Sequence, residues 1–117
     1  MTTGQFLTPL RAERAGDHWV LTDGLRFRSG IAGHVVAVPK GFETDFASVP
    51  RLPLAHLLAG DTAHAAAVVH DYLYRNRIGT RAQADAVFYE AMIALDEPWW
   101  RRWLMWAAVR AGGRATW

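Results

Sequence analysis

Between Thr62 and Arg75 the chain reads TAHAAAVVHDYLYR, a helix-length stretch that is apolar on nearly every side. Ala63, Ala65, Ala66, Ala67, Val68, Val69, Tyr72, Leu73 and Tyr74 leave no continuous polar face, and such a helix belongs in an interior. His70 and Asp71 nevertheless stand in its middle. A buried imidazole or carboxylate is costly unless other groups bond to it. The stretch therefore makes two demands: apolar surface to cover the helix on several sides, and polar partners for its two central residues.

The chain can meet the first demand. At 117 residues, 51% hydrophobic and 21% charged, it has the size and balance of one soluble globular domain spanning residues 1–117. No run reaches the ~20 consecutive apolar residues of a membrane span. The start, MTTGQFLTPLRAERAGD, lacks a basic segment followed by an apolar core, so no secretory signal is read and cytoplasmic synthesis is the default. With no cysteine, disulfides, thiolate zinc sites and cysteine nucleophiles are excluded. A net charge of +2 is too small to signal nucleic-acid binding.

The segment from Leu7 to Val38 carries β signals. His18–Thr22 and Leu25–Arg28 flank Asp23-Gly24, a hairpin signal, and His34–Val38 is the clearest strand. Ser29-Gly30 and Gly33 mark a further turn, and Pro39-Lys40-Gly41 ends the strand. Phe42–Pro53 then connects sheet to helices, its two prolines excluding regular helix or central strand. Leu54–Leu58 reads as a helical turn, with Asp61 or Thr62 capping the central helix and Asn76–Gly79 as its exit. Thr80 and Gln83 form a capping box for a second helix, whose inward face is Ala84, Val87, Phe88, Ala91, Met92 and Leu95. Asp96-Glu97-Pro98 leads into a third, Trp99–Ala111, stopped by Gly112-Gly113. The expected class is α+β: a small N-terminal antiparallel sheet, then a three-helix C-terminal group.

Partners for His70 and Asp71 are sought among Asp45, Ser48 and Asp85, which the connector and the second helix can bring together. A neighbouring carboxylate fixes an imidazole tautomer and raises its basicity, which suits a general base. Asp45, His70 and Asp85 are also adequate ligands for a divalent metal. The alternative is a buried hydrogen-bonded network that only locks the elements together, with Asp71 paired to Arg75 one turn on. Ser48 lacks the glycine-flanked elbow of a nucleophile and reads better as a turn-capping hydroxyl. The His-Asp dipeptide also occurs in metal-dependent phosphohydrolases and in secreted phospholipases. The chain after Asp71 is short for the former, and the disulfides and calcium loop of the latter are missing. His18, His34, His56 and His64 have no ligand spacing and are assigned no role.

Four of the six tryptophans fall within residues 99–106. Trp99, Trp103, Trp106 and Arg110 form one stripe of the third helix, beside Arg101 and Arg102. Tryptophan with arginine fits a protein-docking face or an interfacial membrane helix. It equally fits a helix laid over the core with arginine stems on indoles, and part of the stripe is expected there. Arg110 and Arg114 read as a solvated basic tail.

Three segments carry a family resemblance: FETDFASVP at 42–50, AVVHDYLY at 67–74, and RAQAD at 81–85 with Phe88 and Met92. In order and spacing the chain resembles the phage-associated domain-of-unknown-function family 1353 from about Val38 to Gly113. The resemblance implies a protein of phages, prophages or related particles, whose genes often lie among tail or lysis genes, and it implies no established reaction. Its pattern falls on Asp45, Ser48, His70, Asp71 and Asp85. Two expectations follow. One is a virion-, tail- or accessory-complex component with protein partners, made in the host cytoplasm, docking through Trp99, Arg102, Trp103, Trp106 and Arg110. The other is a small hydrolase of cell-envelope or other host polymer, with a divalent metal as an optional cofactor.

Overall fold

The computed structural model describes residues 4–44 and 64–112. The N-terminal half holds six short strands: β1 (Gln5–Phe6), β2 (Ala12–Ala15), β3 (His18–Leu21), β4 (Leu25–Ser29), β5 (His34–Val38) and β6 (Glu43–Thr44). Among the described residues three helices follow, α1 (His64–Arg75), α2 (Arg81–Ala94) and α3 (Trp99–Gly112). The class is α+β. The connector 45–63, with the helical turn expected at 54–58 and the caps Asp61 and Thr62, lies outside the described residues.

The strands divide into two antiparallel sheets rather than the single one expected, in the orders β1-β4-β5 and β2-β3-β6. Asp23-Gly24 is not a hairpin. It carries the chain from one sheet to the other, while β3 reverses onto β2 through Gly16-Asp17, with Ala15 opposite His18. Gly16 takes φ +69 at the first turn position, the conformation a tight II′-type reversal needs and a side chain resists. Backbone bonds from Leu21 to Phe42 and from Gly41 back to Leu21 then hold β3 against the approach to β6. The strand following Asp23-Gly24 is drawn elsewhere by its own alternation. In β4, Leu25, Phe27 and Ser29 point inward while Arg26 and Arg28 face solvent. Val36 and Val38 of β5 complete that apolar face, with the Phe6 ring tilted against Phe27 at a centroid distance of 4.6 Å.

This face packs under α1 and α2. The core joins Leu21, Leu25, Phe27, Val36 and Val38 to Val68, Val69 and Leu73 of α1 and to Val87, Phe88, Ala91 and Met92 of α2. Met105 and Val109 close it from α3. Complete burial of Phe27 and Phe88 contributes roughly 1.5–3 kcal/mol each. α2 contacts both other helices and also β1 and β4, so it is the central helix of the fold, with α1 at its side.

Local chemistry sets the helix ends. Thr80 caps α2, its hydroxyl accepting the Gln83 N–H at 3.0 Å. Gly79 precedes it at φ +72, and a Cβ there would lie 2.0 Å from Gln83 Oε1. α1 and α2 both end in paired backbone bonds from the residues just beyond, Arg77 to Tyr74 and Ile78 to Leu73, then Asp96 to Ile93 and Glu97 to Met92. A non-glycine residue occupies the left-handed position in each, Arg77 at φ 47 and Asp96 at φ 60.

Candidate functional site

Asp85 is wholly buried on α2 and gathers donors from all three helices. His70 Nε2 and the Tyr74 hydroxyl, both from α1, each lie 2.7 Å from its Oδ1. Its Oδ2 accepts from Arg110 NH1 of α3 at 2.9 Å and has Arg81 NH1 at 3.6 Å. Arg81 also donates to the Arg110 carbonyl at 3.1 Å, joining the start of α2 to the end of α3. The sequence places these groups by simple spacing. Tyr74 is one turn beyond His70, and Arg81 is one turn before Asp85.

Burial works to raise the Asp85 carboxyl. The bonds from His70, Tyr74 and Arg110 outweigh it and hold the group below its ordinary value. Tyr74 moves the other way: burial, and the bond to Asp85, push its phenol up to about 12. At neutral pH Tyr74 is therefore a donor and Asp85 an acceptor, so His70 Nε2 carries the proton it shares with Asp85. The imidazole packs against Tyr74 and Phe88, with ring centroids 4.2 and 4.8 Å away. Its other nitrogen, Nδ1, is buried with no hydrogen-bond partner among the described residues.

Of the residues singled out from sequence, His70 and Asp85 come together. Asp71 is also buried but belongs to a second linkage: Arg75 Nε lies 3.2 Å from its Oδ1. Arg75 in turn donates to the Glu43 carbonyl and sits over the Phe42 ring at 5.3 Å, tying α1 to β6. Asp45 and Ser48 lie outside the described residues. Among the described residues no group of three His, Asp or Glu side chains is arranged to hold a metal ion. Both oxygens of Asp85 already serve protein donors, so a cation there would have to displace Arg110.

The tryptophan stripe divides between surface and core. Trp99 and Trp103 are exposed and Trp106 is half-buried, whereas Met105 and Val109 make the inward face. Arg110 is not a solvated tail, because its guanidinium turns onto Asp85. Arg101 and Arg102 are held by buried Glu97, the first through its carboxylate at 3.0 Å and the second through its carbonyl at 2.9 Å.

Sequence reasoning missed Tyr74, Arg81 and the inward role of Arg110. It also missed a further buried carboxylate, Glu90, which receives the Ser29 hydroxyl at 2.6 Å and the Gly30 and Ile31 amides at 2.9 and 3.3 Å. The available signal was an acid set among Val87, Ala91 and Met92 on an inward face. His18, assigned no role, bridges Asp17 and Glu43 at 3.0 and 3.1 Å on the exposed side of β3.

The family model described as "Protein of unknown function (DUF1353)" matches residues 19–109. No curated protein and no solved structure matches the chain.

Proposed function

The chain belongs to the protein-of-unknown-function family DUF1353, and from that premise we propose a phage or prophage-derived accessory, virion- or tail-associated protein that docks through α3. The observation that carries the reading is the exposure of three large indoles on one helix: Trp99 at 70%, Trp103 at 55% and Trp100 at 41%. Contiguous apolar surface of this kind marks an interaction site, and tryptophan is prominent among residues that dominate binding. The phage setting is what the sequence resemblance implies. In this reading the protein is made in the host cytoplasm, enters a phage particle or complex, and finds its partners among that assembly's proteins. The Asp85 cluster is a brace that fixes α1, α2 and α3 so that the docking face is rigid.

Trp103→Ser tests this. The side chain is exposed, so folded stability should change by no more than about 0.5 kcal/mol. Co-purification with phage particles induced from a lysogen should fall at least tenfold, about 1.4 kcal/mol of lost binding. Unchanged co-purification would remove the docking reading.

A second reading, a hydrolase of cell-envelope or other host polymer, is favoured by one observation, the His70 Nδ1 that has no hydrogen-bond partner among the described residues. An imidazole held by a carboxylate through one nitrogen presents the other as a proton acceptor, the arrangement of a general base. Asp85 is then the orienting group, with Asp45, Ser48 and Asp71 its remaining candidate residues. On this reading His70→Ala should abolish turnover of peptidoglycan while leaving a folded protein with only a modest loss of stability.

A further inference from the structure

The outward side of α3 is apolar along its length. At about 100° per residue, Trp99, Trp100, Trp103, Leu104, Ala107 and Ala111 fall within about 140° of arc. The one charged residue of that arc, Arg110, is drawn onto Asp85. Arg101 and Arg102 lie outside it and are held by Glu97. A helix apolar on both sides is normally covered on both.

The strip is also graded. Its N-terminal half carries the three indoles, and its C-terminal half carries Ala107, Ala111 and the stem of Arg110, whose guanidinium is turned onto Asp85. We infer that this face pairs antiparallel, across a two-fold axis, with the same face of a second copy of the chain. This deepens the docking reading and rests on it. In that arrangement Trp100 and Trp103 of each protomer lie over the alanines of the other, and the small residues permit the 8–10 Å approach of packed helices. A strip whose neighbouring arginines among the described residues, Arg101, Arg102 and Arg110, are engaged within the chain suits another such strip. It offers little to an anionic bilayer, which is attracted by free cations.

Area sets the strength. An aromatic side chain buries roughly 150–250 Å² in full. At exposures of 70%, 41% and 55%, the three indoles supply roughly 250–400 Å² per protomer. A standard interface takes about 800 Å² from each side. Leu104, Ala107 and Ala111 add to the indoles without doubling them, so the pairing is reversible and concentration-dependent.

Sedimentation equilibrium of the full chain, wild type against Ala107→Glu and Trp103→Ser, is the test. The inference expects a wild-type monomer–dimer equilibrium. Either substitution should raise its dissociation constant at least tenfold while the far-ultraviolet spectrum stays native. A dimer that persists in Ala107→Glu would overturn it, since the interface would lie elsewhere. A wild type monomeric up to roughly 1 mM would overturn it too. In that case, loss of phage association in Trp103→Ser would preserve docking with a different protein as partner, and its retention would remove docking as well. Flotation of a monomeric wild type with phosphatidylglycerol vesicles would transfer the face to a membrane.

Discussion

Asp85→Ala should destabilise the fold by about 3–5 kcal/mol, the usual result of removing one partner from a buried ionic network. The substitution strands the donors that His70, Tyr74 and Arg110 aim at the carboxylate, and Arg81 loses the charge beside it. Domains of this size are stable by only about 5–15 kcal/mol, so urea unfolding should show the loss as a much lower midpoint at a similar slope. A loss below about 1 kcal/mol would mean that the network is not a brace.

The same variant carries a pH signature. Asp85 titrates lower in the folded chain than in the unfolded one, whose ordinary value is 3.8. Between those values the unfolded chain binds more protons, so stability rises with pH there. Its contribution is complete above the unfolded value and is lost as pH falls through the folded one. Wild-type stability should therefore drop more steeply than that of Asp85→Ala below pH 3.8.

Glu90→Ala should cost about 2–3 kcal/mol through a separate mechanism. Its carboxylate is the acceptor for Ser29 and for the amides of the β4–β5 turn, and the Ser29 hydroxyl in turn accepts the Ala32 N–H at 2.9 Å. Hydrogen bonds to a charged group are each worth about 1.5–3 kcal/mol, and the exposed turn amides recover part of theirs from water. Amide exchange should accelerate at Gly30, Ile31 and Ala32 before the helices are affected. Unchanged exchange there would mean that the turn holds its shape without Glu90.

The helices were legible because their periodicity and caps are local. Ala84, Val87, Phe88, Ala91 and Met92 are all buried, and Thr80 caps where its spacing to Gln83 placed it. The split into two sheets was not. Asp23-Gly24 announces a change of direction, but whether the next strand folds back or crosses over depends on which edge receives it. The burial of His70 and Asp85 followed from the apolar positions around them, and their meeting is the part of the site that local pattern captured. Arg110 escaped because a long side chain on an apolar helix can swing to solvent or inward, and only a buried carboxylate 25 residues away decides which. Part of the tryptophan stripe was assigned to the core on size; Trp106 is half-buried, while Trp99 and Trp103 stay exposed because Met105 and Val109 already fill the inward face.

Equilibrium unfolding of His70→Ala most directly tests the claim that the cluster braces the three helices. The substitution removes a donor to Asp85 and opens a cavity between Tyr74 and Phe88. Stability should fall by at least about 2 kcal/mol. A stability within about 0.5 kcal/mol of wild type would contradict it and return His70 to chemistry.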